Sequence, residues 1–446
     1  MNMRTDLRFS QSRLVRQFSS GRDEVAIARG DRILSVIAVA ALAISPVYPT
    51  LSALIFILAS VSLIALRPID NALVLTTFGM LLLLPLLACL SAMWSDAPSR
   101  TLRAGLQLFI TFSAAIIVAK RCPPELLIGT LLLSIMAIGL QIMSYIPPVL
   151  GSGHPLRGPF GSKNALGFCA QLGVLLAFAT MLNPQMPRIL RIASVVFLPY
   201  FVWLISLSQS AGALTSSAIF LFVFFASMAL GRFPTGMRWA AAALLLLVLA
   251  VLFPFLADLT DAIAGAGTQA LGKNTTLTGR THLWDIAEQF SERRPLLGYG
   301  FNAFWRQGNI EAETLWRSFG IASRMGFNFH NEFIEIRVAM GYVGLVILAA
   351  TCIGIFLFSI YRQLSNPSVT IAFFLALQTA LYARSFAEDG LVAPFSESTV
   401  LWIASAVYTV AWVGSAKPVA AAIRKKAKAG REALRLARDT RIPRRT

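Results

Sequence analysis

The chain has 446 residues, of which 56% are apolar and 13% charged, with a formal net charge of +18. Soluble proteins carry about 25% charged residues, so this composition excludes an ordinary soluble enzyme. Long uncharged runs recur instead, and they suit a hydrocarbon core about 30 Å thick.

Residues 1–32 form a basic arm too long for the leading region of a cleavable signal peptide, so the first apolar run reads as an uncleaved anchor. Apolar segments then predict twelve spans, at 33–47, 51–66, 72–93, 104–119, 126–147, 165–182, 192–208, 213–230, 239–257, 333–360, 369–384 and 397–415. The stretch 192–230 carries no charge and reads as a hairpin around Ser208-Gln209-Ser210-Ala211-Gly212. The expected fold class is all-α, a polytopic inner-membrane bundle. Its regions are the arm, a nine-span bundle at 33–257, a polar loop with short helices at 258–330, a three-span bundle at 331–416, and a basic tail at 417–446.

Charge sets the expected orientation. With both termini cytoplasmic, 26 of the 39 Lys and Arg lie inside, but only 8 of the 21 Asp and Glu. The outer side then sums to zero, which satisfies the positive-inside rule and puts the 258–330 loop in the periplasm of a bacterium. The basic tail suits anionic membrane lipid, and no nucleic-acid-binding fold surrounds it. The four cysteines show no metal-ligand spacing and read as structural thiols.

The first nine predicted spans hold no Asp, Glu, Lys or Arg, and the tenth holds only Glu335 and Arg337, near its outer end. Intramembrane charges and internal repeats mark many transporters, so an ion-coupled carrier is disfavoured. Chemistry is expected on the outer face.

Three outer clusters stand out. From Thr278 to Arg294, Leu283, Ile286, Ala287 and Phe290 recur at helical spacing, with Thr278 or Thr281 as cap. Arg280 sits in or just before the first turn, where a cation opposes the helix dipole unless an anion binds there. The plain alternative is a solvated arginine. His330 closes the polar loop, and its imidazole suits a general base or an anion contact; an interfacial hydrogen bond is the plain reading. Asn331 is an orienting or capping group, and Glu332 and Glu335 are alternative bases. Lys163 and Asn164 stand at the mouth of the sixth span, and Arg157 adds charge nearby; snorkelling accounts equally for Lys163. Trp94 reads as a membrane-interface anchor. Gly298 and Gly300, in Pro295-Leu296-Leu297-Gly298-Tyr299-Gly300, read as parts of a structural turn.

The ordered set Trp94-Ser95-Asp96-Ala97-Pro98, Lys163-Asn164-Ala165-Leu166-Gly167, Ser208-Gln209-Ser210, Gly279-Arg280 with Trp284, Pro295 to Gly300, and His330-Asn331 with Gly341 and Gly344 resembles the O-antigen ligase and polymerase superfamily. Within it, the exopolysaccharide polymerases of the succinoglycan type are most similar. The resemblance implies a GT-C-like membrane glycosyltransferase whose donor is a polyprenyl-pyrophosphate-linked oligosaccharide, with no cofactor and no metal. The family's pyrophosphate-binding Arg maps onto Arg280 and its essential His onto His330, which become the expected catalytic pair. Lys163, Asn164, Arg157, Asn331 and Glu332 are the expected substrate-binding residues. Expected partners are the lipid-linked oligosaccharides, membrane lipid and a chain-length regulator, with no nucleic acid. The sequence departs from the ligases at Ser210-Ala211-Gly212, where they carry a second Arg. Lys163 or Arg157 are the expected replacements. The departure favours a repeat-unit polymerase over a ligase; a non-enzymatic flippase is the reading from another class.

Overall fold

The computed structural model describes residues 29–45, 47–252, 280–324 and 326–411. The remainder of the basic arm, residues 253–279 with the expected cap Thr278, and the basic tail lie outside the described residues. Among the described residues there are helices and turns and no strand. In chain order the α-helices are α1 (Arg29–Ala43), α2 (Pro49–Leu66), α3 (Pro68–Thr77), α4 (Leu83–Leu90), α5 (Pro98–Arg121), α6 (Pro124–Ile142), α7 (Lys163–Leu182), α8 (Arg188–Ser208), α9 (Ala211–Leu230), α10 (Thr235–Leu252), α11 (Arg280–Arg293), α12 (Ile310–Ser318), α13 (Glu332–Ser365), α14 (Val369–Ser385) and α15 (Glu397–Ala411).

Each segment expected to span overlaps a helix. By length and apolarity, seven described helices suffice to cross a membrane, or eight if one bent pair counts as a single span. That pair covers the span expected at 72–93. A bend of 84° separates α3 from the run Gly79–Met93. The chain leaves helical geometry at Phe78, with φ −103° and ψ 22°, between the two pieces.

The centre of the bundle is α5, α7, α14 and α15. Trp402, Phe112, Phe373 and Phe374 are fully buried there. Phe112 meets Trp402 edge-on at 6.1 Å, and Phe374 stacks on Tyr408 at 5.2 Å. Small residues allow close approach elsewhere: a Cβ on Gly173 would lie 2.7 Å from the Phe201 ring. A tight turn is present at 208–212, as expected, but the helices it joins, α8 and α9, pack on α7 and α14 rather than on each other, so they do not form a closed hairpin. α8 ends at Ser208, Gln209 takes φ 49°, and the Ser210 hydroxyl caps α9.

Two short helices, α11 and α12, lie in the expected outer stretch. Leu283, Ala287 and Phe290 of α11 face inward, as their spacing predicts, onto an aromatic cluster of Tyr299, Phe304, Trp316 and Phe329. The 295–300 turn locks this cap to the bundle. α13 breaks at Gly341 (φ 65°), which releases backbone groups on both sides. Tyr299 N–H and Gly300 N–H donate to the Val338 and Ala339 carbonyls, while Tyr342 and Val343 N–H donate to the Pro295 and Leu296 carbonyls. A Cβ on Gly341 would lie 2.2 Å from Leu296. Trp94 also contributes here: its indole N–H donates to the Leu297 carbonyl at 2.9 Å.

Candidate active site

The packing of α11 and the cap sets where Arg280 and His330 stand. Arg280 is the first residue of α11, and Trp284, one turn on, donates its indole N–H to the Phe329 carbonyl at 2.8 Å. That bond fixes the backbone beside His330. His330 itself has φ 52°, in the left-handed region where a residue with a side chain costs about 1–3 kcal/mol. Its N–H donates to Asn328 Oδ1 at 2.7 Å, which helps to hold this conformation.

Arg280 and His330 converge on one carboxylate, Glu388, in the connection between α14 and α15. Arg280 Nη2 donates to Glu388 Oε1 at 2.8 Å, and His330 Nδ1 lies 3.3 Å from Glu388 Oε2. Asn164 Nδ2 donates to Glu388 Oε1 at 2.8 Å, and the Ser210 hydroxyl donates to Asn164 Oδ1 at 3.3 Å. Arg280 Nη1 also donates to the Ala387 carbonyl. The side chains of Arg280, His330 and Glu388 are 23%, 26% and 15% exposed, so the cluster is half-buried but open to a ligand.

The electrostatics follow from this geometry. Burial works to raise the Glu388 carboxyl, but the His330 hydrogen bond and the charges of Arg280, His330 and Arg384 outweigh it and hold Glu388 below its ordinary value. Asp389 moves the other way, raised by burial with Glu388 adding, against the pull of Arg384 and His330. Arg384, in the last turn of α14, stacks over the Phe168 ring at 4.3 Å and donates to the Asp389 carbonyl at 3.3 Å.

Asn164 thus joins the expected catalytic pair directly. Lys163, the first residue of α7, is half-buried beside it and makes no ion pair among the described residues. Arg157 is exposed, and among the described residues no hydrogen bond or ion pair ties it to the cluster. Asn331 and Glu332, expected to touch substrate, are buried and engaged within the protein. Asn331 Oδ1 caps α13 by accepting from Phe333 and Ile334 N–H, and its Nδ2 donates to the Phe386 carbonyl at 3.2 Å. Glu332 Oε2 accepts from Gly390 and Leu391 N–H, each at 2.7 Å. Glu335, read as an alternative base, accepts from Phe329 N–H at 3.1 Å and Trp305 Nε1 at 3.2 Å. The two carboxylates in the first turn of α13 therefore grip the two segments that carry His330 and Glu388. Thr281, the alternative cap, lies within α11.

Glu388, Asp389 and Arg384 were missed from the sequence. Their signal was slight: a carboxylate pair in a short outer connection, with one arginine at the end of an apolar run. An apolar groove of about 450 Å³ between α1, α2 and α6, lined by Ile37, Ala41, Ile55 and Ala137 among others, includes none of the site residues.

The family model described as O-Antigen ligase matches residues 192–349, which include both Arg280 and His330. The chain is also 32% identical over 325 residues to the exopolysaccharide production protein ExoQ of Rhizobium meliloti (strain 1021), covering 70% of this chain and 73% of that protein. The chain belongs to the O-antigen ligase family. The resemblance read from the ordered motifs holds. Membership and the apolar helices together make this O-antigen ligase family protein a multi-pass membrane protein of the polymerase or ligase type.

Proposed function

We propose that the protein is a polysaccharide repeat-unit polymerase of the bacterial inner membrane. It transfers a growing glycan from its polyprenyl pyrophosphate onto the next lipid-linked repeat unit at the periplasmic face. Twelve spans in a GT-C-like arrangement, with both termini cytoplasmic, complete the reading. The observation that carries it is the convergence of Arg280 and His330 on one half-buried, ligand-accessible cluster. The exopolysaccharide role named for the Rhizobium relative supports exopolysaccharide as the product.

The chemistry fits the residues. Cleaving a sugar–diphosphate bond places negative charge on the leaving oxygen. Cations aimed at that charge in a half-buried setting contribute about 3 kcal/mol each to the transition state. Arg280 has five N–H donors, and its bonds to Glu388 and Ala387 leave others free for a phosphate. Lys163 and Arg384 add positive charge that Glu388 alone does not cancel. His330 accepts the proton of the attacking hydroxyl, and direct displacement inverts the anomeric centre. Side chains supply the charge stabilisation, so the reading invokes no metal.

In cells producing the polymer, Arg280→Ala and His330→Ala are expected to abolish long chains at normal protein level; long chains of normal length would refute the assignment. A ligase that joins glycan to a lipid A core or to protein is the second reading, favoured by the family's description. Ala211 stands where ligases carry an Arg, and it starts α9 beside Ser210, which bonds the site through Asn164. Labelled repeat units separate the two readings: a polymerase lengthens the lipid-linked chain, and a ligase moves label to another acceptor. A flippase would leave single units on the cytoplasmic side when the gene is deleted, whereas loss of a polymerase leaves them on the periplasmic side.

A further inference from the structure

Resting on the polymerase reading above, we propose that Glu388 is the positioning residue of the reaction: its carboxylate holds the His330 imidazole by Nδ1 and leaves Nε2 free to take the proton of the acceptor sugar. Nothing in the motifs that identify the family points to this residue, which lies 58 positions beyond His330.

Three observations converge on it. First, Glu388 is immobilised. Its Oε1 accepts from Arg280 and Asn164, and its Oε2 faces His330 Nδ1. The backbone around it is clamped on both sides: Arg280 holds the Ala387 carbonyl, Asn331 holds the Phe386 carbonyl, and Glu332 holds Gly390 and Leu391. A carboxylate held at this many points defines the plane and direction of whatever it bonds.

Second, the contact dictates the tautomer. An ionised carboxylate only accepts, so the proton of a neutral imidazole must sit on Nδ1, and the lone pair is then on Nε2. The His330 hydrogen bond itself, with the charges of Arg280 and Arg384, outweighs burial and holds the Glu388 carboxyl below its ordinary value. The base and its orienter are therefore arranged as in nucleophile activation generally, where a third group fixes the ring.

Third, the ring has further fixed neighbours. His330 has its backbone in the left-handed region, and the Phe327 ring stands edge-on to the imidazole at 5.8 Å and 82°. The imidazole is thereby oriented from its backbone, its face and its Nδ1.

In the step itself, the acceptor oxygen forms its bond to the anomeric carbon as its proton moves to His330 Nε2. The bond from that carbon to the diphosphate oxygen breaks, and the electron pair stays on the diphosphate against Arg280. Glu388 stabilises the imidazolium until the proton passes to water. Its place in the step is electrostatic and orienting, and it touches neither substrate.

The test uses full-length protein in detergent or vesicles, with lipid-linked repeat units as substrate. Glu388→Gln keeps the size and loses the charge. Expected is a fall in kcat of about 100-fold or more, with the donor KM within a few-fold of wild type, a normal yield of folded protein, and partial recovery in Glu388→Asp. Nitrogen-15 spectra of histidine-labelled protein, with His330 assigned through His330→Ala, are expected to show Nδ1 protonated in wild type and a mixed tautomer in Glu388→Gln. A Gln variant that keeps its kcat, or one that binds donor more tightly and turns over as fast, overturns the proposal; the second outcome would make Glu388 a stand-in for the diphosphate. A wild-type tautomer with Nδ1 unprotonated also overturns it. The spectra need no substrate, so they judge Glu388 even if the wild-type protein makes no polymer, which would sink the polymerase reading instead.

Discussion

Two arginine–carboxylate pairs on the same end of the bundle have almost the same length and different surroundings. Arg294 meets Asp96 at 2.9 Å with both side chains 40% exposed. Arg280 meets Glu388 at 2.8 Å with the side chains 23% and 15% exposed. The first pair helps fasten the 94–98 segment to the cap, with Arg294 also lying 4.5 Å over the Tyr299 ring. The second is tied to an imidazole and an amide in a partly desolvated cluster. Water screens the first pair, and fixed dipoles replace part of that screening in the second. Distance alone therefore does not separate a fastening from a candidate catalytic group; burial and the partner network do.

The contrast predicts a graded series of effects. Arg280→Ala and His330→Ala are expected to lower turnover by at least about 100-fold, measured as chain length and yield at matched protein level. Gly341→Ala comes next, as a folding defect: its Cβ would collide with Leu296, and the interleaved turn at 295–300 would have to leave its seat. Little folded protein is expected in membranes, measured by detergent-resistant yield, and normal yield would show that the break in α13 tolerates a side chain. Glu332→Ala leaves the Gly390 and Leu391 N–H groups without their acceptor, at about 1–3 kcal/mol each. Polymer yield per folded molecule is expected to fall well below wild type, while Glu332→Gln keeps an acceptor and most of the yield.

A pH series sharpens the same comparison. The Glu388 carboxyl is lowered in the folded protein, so its contribution to stability is present above the unfolded carboxylate value of about 4.3 and disappears as pH falls through the lower folded value. The difference in melting temperature between wild type and Glu388→Gln is expected to stay constant from neutral pH to about 5 and to close only in stronger acid. Smallest of all, Arg294→Ala is expected to cost about 1 kcal/mol and to leave chain length unchanged; a large loss of polymer there would erase the distinction drawn between the two pairs.

The legible and the hidden parts of the site differ for a physical reason. Helical spacing of Leu283, Ala287 and Phe290 reported α11 and its buried face, because a helix with one apolar face declares itself within a few turns. His330 was legible as the polar residue that closes the loop just before a long apolar run, and Arg280 as a cation at the predicted start of α11. Glu388 was not, because its meaning lies in partners 58, 108 and 224 positions away. Asn331 was legible as a capping group, which it is, but Glu332 was legible only as a residue near the site and not as its support, since which way a side chain turns at a helix start depends on the loops packed over it. The break at Gly341 was hidden inside an apparently continuous apolar run, and only the turn that fills it reveals it.

Composition and periodicity by themselves determined that this chain is a helical, multi-pass membrane protein, because apolar length and charge asymmetry are properties of the chain read in order. They also marked the polar stretch where reactive groups concentrate. Only the packing of α7, α11, α13 and α14 decided that Asn164, Arg280, His330 and Glu388 meet. A hydrogen bond between distant residues has no local signature; it exists once the bundle has brought their helix ends within a few ångströms of one another.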